Sequence, residues 1–78
     1  MGAELGRARI MRKADNLHRI AGRMLDRATD GGTRQVARAA QNVSRGALEE
    51  AVTGSATVAL EALHRAGMLI QAAGKGVV

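Results

Sequence analysis

The residues best placed to do chemistry are six cations in the first third of the chain: Arg9, Arg12, Lys13, Arg19, Arg23 and Arg27. A guanidinium is a planar, permanently charged fork that matches a phosphate group with two parallel hydrogen bonds. At roughly 100° per helical residue, Arg9, Arg12, Arg19, Arg23 and Arg27 fall within a sector of about 80°. Such a stripe predicts contact with a phosphate backbone, independent of sequence and sensitive to salt. Base readout is not expected, because the exposed positions lack the mixture of Asn, Gln, Ser and Arg that recognition helices present. The chain has no Phe, Tyr or Trp. With nothing to stack on unpaired bases, double-stranded DNA is the expected partner rather than a single strand.

Other chemistry finds little in the sequence. Ser44 and Ser55 have no recognisable base and orienting group, and His18 and His64 stand alone, so no catalytic residue is assigned and no enzyme is expected. His18 is read as a surface or phosphate-adjacent residue at the edge of the basic stripe. The chain has no Cys, and neither zinc spacing nor a glycine-rich phosphate loop is present, so no metal and no cofactor are expected. Asn42-Val43-Ser44 matches the glycosylation sequon, which makes Asn42 a possible modification site.

Charge is unevenly distributed. The formal net charge is +5, and ten of the twelve Lys and Arg lie within residues 1–45. Residues 46–78 are close to neutral. This asymmetry points to a polyanion as partner of the first half. No secretory signal is evident, and no run of 18 uncharged apolar residues occurs. The nearest candidate, 51–73, is interrupted by Glu61, His64 and Arg65, so a membrane partner is not expected.

These cations need an element to hold them. There is no Pro, and Ala, Leu, Arg, Glu and Met dominate, which predicts an all-α chain. Residues 1–29 read as a basic amphipathic segment, helical from about Ala3 to Ala28. Ile10, Ala14, Leu17, Ala21, Met24 and Ala28 alternate steps of four and three, a heptad seam suited to close helix–helix approach. Residues 30–33 read as a turn, with Gly31 and Gly32 able to take positive φ and Thr33 as the cap of the next helix. The apolar arm 34–73 carries a second small-residue ridge at Ala47, Ala51, Ser55 and Ala59. Thr53-Gly54-Ser55 interrupts it, so the arm is either one long helix or two. The preferred reading is a helical hairpin, its second arm bent or frayed near Gly54. Residues 74–78 read as an extended tail.

Sixteen of the apolar residues are Ala. A 78-residue chain with so few large apolar side chains and no disulfide is expected to complete its core with copies of itself. The Ile10–Ala14–Leu17–Ala21–Met24 seam and the Ala47–Ala51–Ser55–Ala59 ridge are the expected self-assembly surfaces.

In size, in the Arg-rich segment 3–28, in the Asp30-Gly31-Gly32 turn, in the apolar 47–73 arm and in the Asn42 sequon, the chain resembles the major virion protein of clavaviruses, rod-shaped DNA viruses of hyperthermophilic archaea. The resemblance implies a hairpin coat subunit, packed in many copies into a helical shell around double-stranded DNA within the virion. It places Arg9, Arg12, Arg19, Arg23 and Arg27 against the genome. It also implies thermostability, which the lack of Cys suits and the lack of Pro and the ten Gly do not. Two other functions fit the composition. One is a small dimeric, sequence-independent DNA-binding protein of the cytoplasmic nucleoid. The other is a pilin-like or membrane-associated filament subunit.

Overall fold

A computed structural model describes residues 2–76, with side chains described from Gly6 to Lys75. It contains three helices: α1 (Gly2–Arg27), α2 (Gly31–Thr53) and α3 (Ala56–Gly76). Among the described residues there is no strand, so the all-helical expectation holds. The preferred two-helix hairpin does not: the second arm divides into two helices of similar length. Gly74, Lys75 and Gly76, read as tail, belong to the last turns of α3. Val77 and Val78 lie outside the described residues.

The first turn is built differently from the glycine turn expected. No glycine among the described residues has positive φ. Asp30 is extended, with φ −104° and ψ 152°, and its carboxylate accepts the Thr33 backbone N–H at 2.8 Å. Asp30 is therefore the N-cap of α2. Gly31 and Gly32 form its first turn, and Thr33 sits inside the helix, where it is buried. The physical reason is that a carboxylate three residues ahead satisfies one of the orphan N–H groups of a helix start better than a hydroxyl at Thr33 could. Hydrogen bonding from Thr33, its side chain first and its backbone N–H second, holds the Asp30 carboxyl below its ordinary range.

A folded-state value below the unfolded one means that the cap stabilises the protein above the ordinary carboxylate range and is lost as pH falls through the lowered value. Replacing Asp30 by Asn keeps a capping oxygen and removes that titration. The expected result, read by circular dichroism between pH 7 and pH 2, is that Asp30→Asn melts near the native chain at low pH and loses less stability on acidification. Parallel acid-unfolding curves would contradict the assignment of the cap.

The break at Gly54 has an equally local cause. The Gly54 N–H donates to the Glu50 carbonyl at 2.8 Å, and the Ser55 N–H to the Glu50 carboxylate at 2.9 Å. Ser55 Oγ then accepts from the Val58 N–H at 3.3 Å and caps α3. A Cβ on Gly54 would run into the Glu50 carboxylate, so a larger residue there would make that side chain swing away and give up its bond to the Ser55 N–H.

The helices run up, down and up. Arg7, His18 and Arg34 of the first two helices meet Ala51, Gln41 and Leu25 respectively, which is antiparallel pairing. Ile10 lies by Ala59 and Leu63, and Met24 lies by Gly74, which is parallel pairing of α1 with α3. The result is a slender bundle with Cα extents of 44 × 15 × 15 Å.

Its axis is lined by alanine. The buried apolar residues are Ile10 and ten alanines: 14, 21 and 28 on α1 and its end, 37, 40, 47 and 51 on α2, 59, 66 and 73 on α3. On α1 and α3 they recur every seven residues. On α2, with buried Thr33 and Ser44, they alternate steps of four and three. Helices bearing Ala at each contact can approach to the short end of the usual interaxial range, about 8 Å. Apart from Ile10, the leucines, isoleucines and methionines then stay off the axis. They lie beside it half-buried, as Leu17, Ile20, Met24, Leu63 and Ile70 do, or outside it, as Val52, Val58, Leu60 and Met68 do.

Candidate nucleic-acid interface

Helix α1 positions the basic stripe. Its buried Ala14, Ala21 and Ala28 define one face, the opposite face carries Arg9, Arg12, Arg19, Arg23 and Arg27, and Lys13 lies on the flank between them, all six cations exposed. Arg9 and Arg27 are 18 residues apart, which at 1.5 Å per residue spreads the six cations over about 27 Å of helix. Among the described residues the ion pair formed is Arg19–Asp15 at 2.8 Å, four residues apart on α1, with both side chains exposed. Exposed pairs of this kind are worth about 0.3–0.5 kcal/mol, too little to hold Arg19 away from a phosphate.

Two arginines outside this stripe have a different task. Arg7 donates from Nη1 to the Ala51 carbonyl at 3.0 Å, at the end of α2. Arg34 donates from Nη1 to the Leu25 and Ala28 carbonyls at 3.3 and 3.4 Å, at the end of α1. Both place a cation on carbonyls that a helix terminus leaves unpaired and at the negative end of its dipole. Sequence periodicity gives no sign of either role, because the acceptors come from other elements.

His18 is not part of the stripe. It turns toward α2, half-buried, with Nδ1 3.1 Å from the Gln41 carbonyl and 3.5 Å from Ser44 Oγ. A serine and a histidine that look isolated in sequence are thus neighbours. The geometry does not activate the serine. Ser44 Oγ is fully buried and donates to the same Gln41 carbonyl at 3.0 Å. The tautomer that fits a carbonyl at this distance donates from Nδ1, which leaves that nitrogen no lone pair for the serine. The cluster ties α1 to α2 where the two come close: a Cβ on Gly22 would lie 3.3 Å from the Gln41 amide. His64 is exposed on α3.

Asn42 is exposed, but it lies in the middle of α2 and its sequon partner Ser44 is enclosed. The folded chain therefore offers the asparagine without the hydroxyl. Among the described residues no group of His, Asp and Glu is arranged to hold a metal ion.

The expected assembly seams are occupied within one chain. Ile10, Ala14, Ala21, Ala47, Ala51 and Ala59 are buried against the chain's own helices, and Leu17 and Met24 are half-buried beside them. Ser55 is exposed and serves as the α3 cap. A heptad pattern specifies that a helix is packed, not whose helix packs on it.

The chain matches no known protein family, curated protein or solved structure. No helix among the described residues is long and apolar enough to cross a membrane.

Proposed function

We propose that this protein is a structural DNA-binding protein that coats double-stranded DNA in many copies, holding phosphates on the exposed α1 face. The observation that carries the reading is that Arg9, Arg12, Lys13, Arg19, Arg23 and Arg27 are all exposed along one unbroken helix. A row of cations over about 27 Å follows the length of a duplex, which carries one charge per 1.7 Å of axis. Phosphate contacts position a protein without selecting sequence, as a packaging protein requires.

In its finer form the reading is a coat subunit of a rod-shaped virion, in line with the resemblance to clavavirus virion proteins. Because the alanines close each chain's own core, copies must join through side chains left outside it. Val52 and Val58, 54% and 47% exposed on either side of the α2–α3 turn, are apolar and available for that contact.

The test is to saturate a linear duplex with the protein, image it by negative stain and digest the same sample with nuclease. Regular rods with protected DNA are expected. Dispersed complexes on fully digestible DNA would refute the coat role and favour a small nucleoid-type binder.

A further inference from the structure

The parallel pair α1 and α3 is the open side of the bundle. Three consecutive hollows run along it, of ≈ 240, 420 and 360 Å³. Apolar side chains run through all three, Ile10, Leu17 and Ile20 from α1 and Leu60, Leu63 and Met68 from α3, and the middle hollow adds the polar Asn16, His64 and Gln71. Glycines deepen the groove: a Cβ on Gly6 or Gly67 would meet nothing within 4 Å. Leu60 and Met68 are 53% and 59% exposed, large apolar side chains left uncovered. From Gly6 to Arg27 the groove is about 32 Å long, the length of a helix of about 20 residues.

The rim decides the occupant. Arg9, Lys13, Arg23 and Arg27 line the three hollows, and no Asp or Glu does. A second copy is a poor fit, because its helices also carry more basic than acidic residues and would bring like charge to a basic rim. We infer that the α1–α3 groove receives a single amphipathic helix of another protein, with an apolar stripe on the groove floor and Asp or Glu flanks against the basic rim. This is the helix-in-groove mode of recognition, in which apolar anchors at steps of three and four give affinity and flanking charges give selectivity. Docking would complete a four-helix bundle and cover the apolar side chains that three helices leave exposed. The inference does not depend on DNA binding and is tested without DNA.

The experiment titrates the full chain with three fluorescent 20-residue helical peptides. The first has a Leu stripe with Glu flanks. The second has the same composition scrambled, and the third has the same stripe with Lys flanks. The striped acidic peptide is expected to bind at least tenfold more tightly than either control. Gly67→Met sets its Cβ in open space and adds helix propensity, so a helical melt close to that of the native chain is expected; it should weaken that binding at least tenfold, and Met68→Glu should do the same. Equal binding of the striped and scrambled acidic peptides, or unchanged binding to Gly67→Met, would overturn the proposal by reducing it to charge attraction. Sedimentation of the free chain supplies a separate check: a dimer that Met68→Glu dissociates would show that a second copy covers the groove, and would also overturn it.

Discussion

Ala66→Leu is expected to lower the melting temperature by about 5–20 °C. Ala66 is fully buried on α3 in the alanine line at the bundle axis. Adding three carbons there cannot be absorbed by a rotamer change, because the neighbouring surfaces are helix backbones held apart by single methyl groups. Over-packing of this kind costs about 1–3 kcal/mol. At 0.05–0.15 kcal/mol per residue the whole chain has about 4–12 kcal/mol, and for a domain this small each kcal/mol moves the midpoint by about 4–8 °C. The same change at Ala21, also fully buried, should act in the same direction. By contrast Leu60→Gln, at an exposed position, should change stability by less than about 0.5 kcal/mol. The pair of outcomes inverts the usual expectation that leucine belongs inside and alanine outside. Thermal melts that show Ala66→Leu as stable as the native chain would mean that the helices are not packed through alanine.

Reversing the charge of Arg19 and Arg23 together is expected to weaken duplex binding by at least about 100-fold at low salt. If all six exposed cations of the α1 stripe engage phosphates, affinity should fall about 1000-fold between 50 and 200 mM salt, from about 0.9 counterions released per contact. The double variant removes two contacts, so its salt dependence should flatten by about two in logarithmic slope. Arg7→Gln is the informative control. It removes one positive charge, as Arg19→Gln would on the stripe, but Arg7 is engaged on the Ala51 carbonyl. It should lower stability more than it lowers DNA affinity. If Arg19 and Arg23 behave like Arg7, the stripe is not the binding face.

The helical class and the basic face of α1 are legible in the sequence, because both follow from composition and from a period that one helix expresses alone. The alanine lines are legible as well, at 14, 21 and 28 and at 47, 51 and 59. Their owner is not: nothing in a seven-residue period says whether the facing helix comes from the same chain. The break after Thr53 depends on Glu50 accepting twice, with its backbone carbonyl from the Gly54 N–H and with its carboxylate from the Ser55 N–H, which a residue-by-residue propensity cannot weigh. The Asp30 cap could have been read from the aspartate alone, but two following glycines suggest a turn more strongly than they suggest a helix start. The α1–α3 groove has no signature in sequence at all. It arises because residues of two helices separated by the whole of α2 come side by side and leave their larger apolar side chains uncovered.

The central claim is that α1 holds duplex DNA by its phosphates. The most direct test is the affinity of the native chain for two duplexes of unrelated sequence, measured by fluorescence anisotropy from 50 to 200 mM salt. Equal affinities, with a logarithmic slope near −5 for six phosphate contacts, are the predicted result. A slope near zero, or a strong preference for one of the two sequences, would contradict it.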